Sequence, residues 1–115
     1  MENIAREDAI FFWDMLNSPR SPNCKPQLGR TKQYYKILKD TNSNQYKRFI
    51  GVYKEVRYLL SERELYILDE VYGFNENKEC RTLKSIGESL NITMQRVRQI
   101  RVEAEYKFSR KMLRD

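Results

Sequence analysis

The sequence predicts an all-α protein, a helical bundle ending in a helix-turn-helix, and three observations carry that prediction. Apolar residues recur at spacings of three and four, as in Phe49, Tyr53, Val56 and Leu60, or in Val97, Ile100, Ala104 and Phe108. Ser61-Glu62-Arg63-Glu64 has the form of a capping box. From Thr82 onward, a helix of about eight residues, a short turn and a longer helix follow one another, which is the layout of a helix-turn-helix.

Taken in order, Ile4, Phe11, Phe12, Met15 and Leu16 form a helical stripe with acids between them over residues 3–16. Asn17 to Gly29 holds Pro19, Pro22 and Pro26 among Asn and Ser, so a linker is expected there. Thr31 is a candidate cap for a helix running to about Asp40, with a break at Asn42–Asn44 and a third helix over Gln45 to Leu60. The chain is therefore read as an N-terminal helical extension over residues 1–59, with a Pro-rich loop at about 17–29, and a second domain over residues 60–115. Gly29, Gly51 and Gly73 are evenly spaced, but their flanks do not match and no phosphate-cradling cluster results.

The second half is more explicit. Leu60 and Leu65 bracket the capping box as a hydrophobic staple, and Gly73 is a natural stop after Leu65, Leu68 and Tyr72. Asn75–Glu79 is a polar loop. Thr82 caps the next helix, whose inner face is Leu83, Ile86 and Leu90. Asn91 tolerates the left-handed conformation that a sharp turn demands, and Thr93 caps the last helix.

Composition excludes more than it assigns. The 115 residues hold 22 Lys and Arg against 16 Asp and Glu, for a net charge of +6, and no histidine. Without histidine there is no His-based acid–base pair and no His-containing zinc site. Cys24 and Cys80 are far apart and make no CxxC, and two isolated thiols fit a reduced, intracellular setting. The longest apolar run, Ala9–Trp13, is five residues, against the roughly 18 of a membrane span. Met1-Glu2-Asn3 does not open a secretory signal. The expectation is a small, basic cytoplasmic protein, not an enzyme, with no cofactor and no metal. Its charge favours nucleic acid as partner.

With Val97, Ile100 and Ala104 inward, the last helix is expected to expose Met94, Gln95, Arg96, Arg98, Gln99 and Arg101. Glutamine can pair with adenine N6/N7 and arginine with guanine O6/N7, so Met94, Gln95, Arg96 and Gln99 are the candidate base readers. Arg98 and Arg101 are candidate phosphate contacts, together with Thr82 and Lys84 at the start of the supporting helix. Arginine and glutamine are also ordinary solvated helix formers, which is the plainer account of the same face. Residues 94–115 carry seven basic and three acidic side chains, most of the excess charge of the chain. Tyr34, Tyr35, Tyr46, Tyr53 and Tyr58 suit either a half-buried core or a protein contact.

In order and spacing, Leu60-Ser61-Glu62-Arg63-Glu64, Tyr72-Gly73, Thr82-Leu83-Lys84-Ser85-Ile86-Gly87-Glu88, Ile92-Thr93 and Arg96-Val97-Arg98-Gln99-Ile100 resemble region 4 of bacterial sigma-70-type sigma factors, over about Leu60 to Phe108. The resemblance implies a recognition helix that binds the −35 promoter element and a surface that docks on the β flap of core RNA polymerase. It makes Gln99 the counterpart of a base-reading glutamine, and Arg98 and Thr82 counterparts of backbone contacts. Met94-Gln95 replaces the Arg-Glu usual in the family, which removes a guanine or phosphate donor and a cytosine acceptor. Lys84 stands where an acid is common. Residues 1–59 are too short for sigma regions 2 and 3, so this chain is not expected to open promoters by itself. A split-sigma subunit acting with a second sigma-like subunit and a phage-type regulator both fit, in a bacterial or phage setting at the nucleoid. The alternative is a protein-interaction module that binds RNA polymerase or a sigma factor without reading DNA.

Overall fold

The computed structural model describes residues 4–16 and 34–114. Among these the regular structure is helical throughout: α1 (Arg6–Leu16), α2 (Tyr34–Leu38), α3 (Asn44–Val56), a 3-10 turn (Arg57–Leu59), α4 (Glu62–Tyr72), α5 (Leu83–Leu90) and α6 (Met94–Arg114). The all-α expectation holds. The described residues fall into two compact units, one made of those up to Arg57 together with those from Phe108 on, the other of Tyr58–Lys107.

The first unit is built on aromatic rings. Phe12 of α1 lies 4.7 Å from Phe49 of α3, centroid to centroid, and meets Phe108 edge-on at 5.6 Å. Tyr34 packs 5.6 Å from Phe49, and Tyr53 meets Phe108 edge-on at 6.2 Å. Such offset and T-shaped pairs suit the ring quadrupoles and add about 0.5–1.5 kcal/mol each beyond area burial. Tyr34 and Tyr53 are thus core residues, whereas Tyr46 is half-buried and Tyr58 is exposed. The side chain of Tyr35 lies outside the described residues, as do Thr31 and the Pro-rich loop. Trp13, absent from the expected stripe, is buried beside Phe12 in sequence, so the buried edge of α1 runs Phe12, Trp13, Leu16. Arg48 ties α3 to α1: its Nε–H donates to Asp8 at 2.8 Å while the guanidinium lies 4.4 Å over the Phe11 ring.

Two boundaries differ from the expectation. Helix α3 begins one residue earlier, at Asn44, because Ser43 caps it by accepting the Tyr46 N–H at 3.0 Å. It ends at Val56, short of Leu60, where the chain tightens into the 3-10 turn. Gly51 sits in the exposed face of α3 with nothing within 4 Å of where a Cβ would stand. Gly51→Ala is therefore expected to stabilise the protein by about 0.5–1 kcal/mol through helix propensity and the unfolded chain. Urea denaturation measures this directly, and a lower midpoint would contradict it.

The second unit holds α4, α5 and α6 as far as Lys107. Its capping box forms as expected: the Ser61 hydroxyl accepts the Glu64 N–H, and the Glu64 carboxylate accepts the Ser61 N–H at 2.9 Å. Gly73 ends α4 at φ 74°, and the Phe74 N–H reaches back to the Asp69 carbonyl at 2.8 Å. Ile67, Leu68, Val71 and Tyr72 of α4, Ile86 of α5 and Val97, Ile100 and Ala104 of α6 are buried. Leu65, Leu83 and Leu90 are half-buried.

Polar contacts join α4 to α6 within this unit. The buried Tyr72 hydroxyl donates to Glu105 at 2.6 Å, and the Lys107 ammonium pairs with Glu64. Burial works to raise the Glu64 carboxyl, but the hydrogen bonds from Lys107 and from Ser61 outweigh it and hold the group below its ordinary value. A carboxyl whose folded value is lowered favours the ionised fold. Its contribution is full above roughly pH 4.5 and is lost as pH falls through the lower folded value. Glu64→Gln keeps an amide that can complete the cap but removes the charge. The expected loss at pH 7 is about 0.5–1 kcal/mol, since Lys107 is well solvated, with a flatter stability curve on the acid side. Unchanged acid-side curvature in a pH series of denaturation midpoints would count against this assignment.

Candidate nucleic-acid interface

The turn between α5 and α6 is fixed from both sides. Thr82 caps α5, its hydroxyl accepting the Ser85 N–H at 3.1 Å. At the other end Asn91 adopts φ 58° and ψ 43°, with its N–H turned to the Glu88 and Gly87 carbonyls. The Ile92 N–H then bonds to the Gly87 carbonyl at 2.9 Å, which completes a Schellman-type stop. Thr93 restarts the chain as α6, its hydroxyl accepting the Arg96 N–H at 3.0 Å.

Gly87 is what lets the turn close. A Cβ placed there would stand 2.7 Å from the Ile92 carbonyl oxygen and 3.4 Å from a Val97 methyl. The backbone of the turn thus lies directly over α5 at this residue.

Arg81, just ahead of the Thr82 cap, binds α4 to α5. Its N–H donates to the Glu70 carbonyl at 2.8 Å. Its guanidinium donates to the Glu70 carboxylate at 3.2 Å, the Tyr66 hydroxyl at 3.0 Å and the Ser85 carbonyl at 3.0 Å. The Ser85 and Ser89 hydroxyls accept from the same group. The sequence names Gly87 only as part of the Thr82–Glu88 motif and gives Arg81 no role. The only local signal for Arg81 is that Ser85 and Ser89 follow it at helical spacing; the α4 partners are remote in sequence.

The outer face of α6 carries the candidate readers. Met94 is 41% exposed, and Gln95, Arg96 and Gln99 are exposed as well. Arg98 is half-buried, and its guanidinium donates to the Gln95 amide oxygen at 3.2 Å. The Arg96 guanidinium donates to the Gln99 amide oxygen at 3.3 Å. Each pair is one helical turn apart, so two arginines hold two glutamine amides in place along the face. Thr82 and Lys84 are exposed at the start of α5.

Residues 59–107 match the family described as sigma-70, region 4. This segment is a sigma-70 region 4 domain. The match takes in α4, α5 and most of α6, and so places a DNA-binding helix-turn-helix associated with transcription in the C-terminal part of the chain. The family is a regulatory one and not a family of enzymes. No curated protein and no solved structure matches the chain.

One expected site residue of the region 4 domain is placed elsewhere. Arg101 is only 4% exposed, so it does not stand on the outer face with the other candidates. The helical period explains the correction. Val97, Arg101, Ala104 and Phe108 follow at spacings of four, three and four, and all are buried, so Arg101 occupies a core-side position of α6. Among the described residues no group of His, Cys, Asp and Glu could hold a metal ion, and no helix is long and apolar enough to cross a membrane.

Proposed function

We propose that the chain reads promoter-like duplex DNA by setting α6 in the major groove, and that it works with bacterial RNA polymerase in transcription, docking on the β flap of the core enzyme. The observation that carries this reading is the exposed, arginine-braced pair Gln95 and Gln99 on a helix whose start is fixed by Thr93. Glutamine amides so held can meet adenine N6/N7, and Arg96 can meet guanine O6/N7. Met94 brings an apolar contact to the same end. Thr82, Lys84 and Arg98 flank the face and suit phosphates, and the basic excess of residues 94–115 supplies salt-dependent affinity.

Binding of the purified chain to a randomised duplex pool, with and without core polymerase and at two salt concentrations, tests this. Enrichment of one sequence, with affinity falling steeply in salt, supports a DNA reader. Enrichment only in the presence of polymerase supports a sigma-like subunit. The second reading, an interaction module on polymerase or a sigma factor, draws on the exposed Met94 where a polar reader would be expected. Polymerase binding with no DNA preference would favour it.

A further inference from the structure

Three large apolar side chains on α6 are exposed: Met94 at its start is 41% exposed, Val102 48% and Tyr106 51%. Positions i, i+3, i+4 and i+7 share one face of an α-helix. Gln95, Arg98, Gln99 and Val102 hold those four positions, and Val102 is the one apolar member of the stripe. It lies about 10 Å along the axis from Gln95, two helical turns further along the same face of α6.

An isopropyl group carries no donor or acceptor, so it can recognise only an apolar group. In the major groove the base edges offer one, the C5-methyl of thymine. Placed against a cytosine or adenine amino group, the same side chain would strip water from a donor and give nothing back. We propose that Val102 is a specificity-determining residue that reads a thymine through its 5-methyl group, beyond the base pairs met by Gln95 and Gln99. This rests on the proposed groove reading by α6.

The experiment uses the full chain and the duplex it selects, with each thymine in turn replaced by deoxyuridine, which pairs identically but lacks the methyl. Wild-type binding is expected to weaken roughly fourfold at one thymine, the change that one buried methyl carries. Val102→Ala, at an exposed helical position where alanine is well tolerated, is expected to lose that sensitivity while its response at the other thymines is unchanged. Equal thymine and deoxyuridine binding in the wild type overturns the assignment, as does the same loss in both proteins. Val102→Ala weakening polymerase binding while the methyl sensitivity stays assigns the side chain to a protein contact and also overturns it. A chain that selects no sequence fails earlier, at the groove reading itself.

Discussion

Gly87→Ala is expected to destabilise the region 4 domain by up to about 2 kcal/mol, although alanine is the better helix former. The added Cβ would stand 2.7 Å from the Ile92 carbonyl oxygen, and that neighbour is backbone held in the turn by the Ile92 and Asn91 hydrogen bonds, not the free end of a side chain. Overpacking of this kind costs about 1–3 kcal/mol, which exceeds the roughly 1 kcal/mol that helix propensity returns. A Tm lower by several degrees is the corresponding reading for a domain of this size. The Gly51→Ala protein is the built-in comparison, since the same change in open space is expected to act in the opposite direction. Should both alanine variants gain stability, the turn does not press on α5 as closely as the geometry says. Because the turn aims α6, weaker DNA binding should accompany the lost stability of Gly87→Ala.

Gln99→Ala is expected to relax discrimination at one base pair, worth about 1–3 kcal/mol between the right base and a wrong one. Binding to random duplex should barely change. Arg98→Ala should do the reverse, weakening matched and random DNA alike and reducing the salt slope by about one unit. The contrast depends on where the two side chains stand. Gln99 is exposed with its amide oxygen held by Arg96, whereas Arg98 is half-buried at the edge of the face. Since Arg98 also braces Gln95, its loss should add a small preference change at a second position. Titrations of both variants on matched and random duplex at several salt concentrations decide the matter, and indistinguishable behaviour would argue against groove reading.

The parts of this structure that could be read from the sequence are those in which cause and effect are neighbours along the chain. Ser61 with Glu64, Gly73, Thr82, Asn91 and Thr93 each act within a few residues of where they stand, and each does what its type and place imply. The inward stripe Val97, Ile100, Ala104 and Phe108 is legible for the same reason, since a helix turns its own period into a face. What was not legible depends on distant partners. Arg81 has its α4 partners at Tyr66 and Glu70, and Glu105 is met by Tyr72, pairings that only the folded domain creates. Arg101, expected on the exposed face of α6, is buried. Its spacing from Val97 and Ala104 put it on the buried side, and in a buried stripe position outranks residue type. The importance of Gly87 was hidden because a missing side chain leaves no pattern to detect.

The cap at the start of α6 has a practical consequence. Thr93 holds the helix by accepting a bond from the main-chain amide of Arg96, and the turn before it is held by main-chain amides of Asn91 and Ile92. None of these bonds depends on what Gln95, Arg96, Gln99 or Val102 carries beyond the backbone, so long as proline is avoided. Foldability and the proposed DNA address are therefore written in separate letters of the same short segment. A combinatorial library randomised at those four positions should return folded proteins at a high rate, each carrying a different reading surface on an unchanged frame.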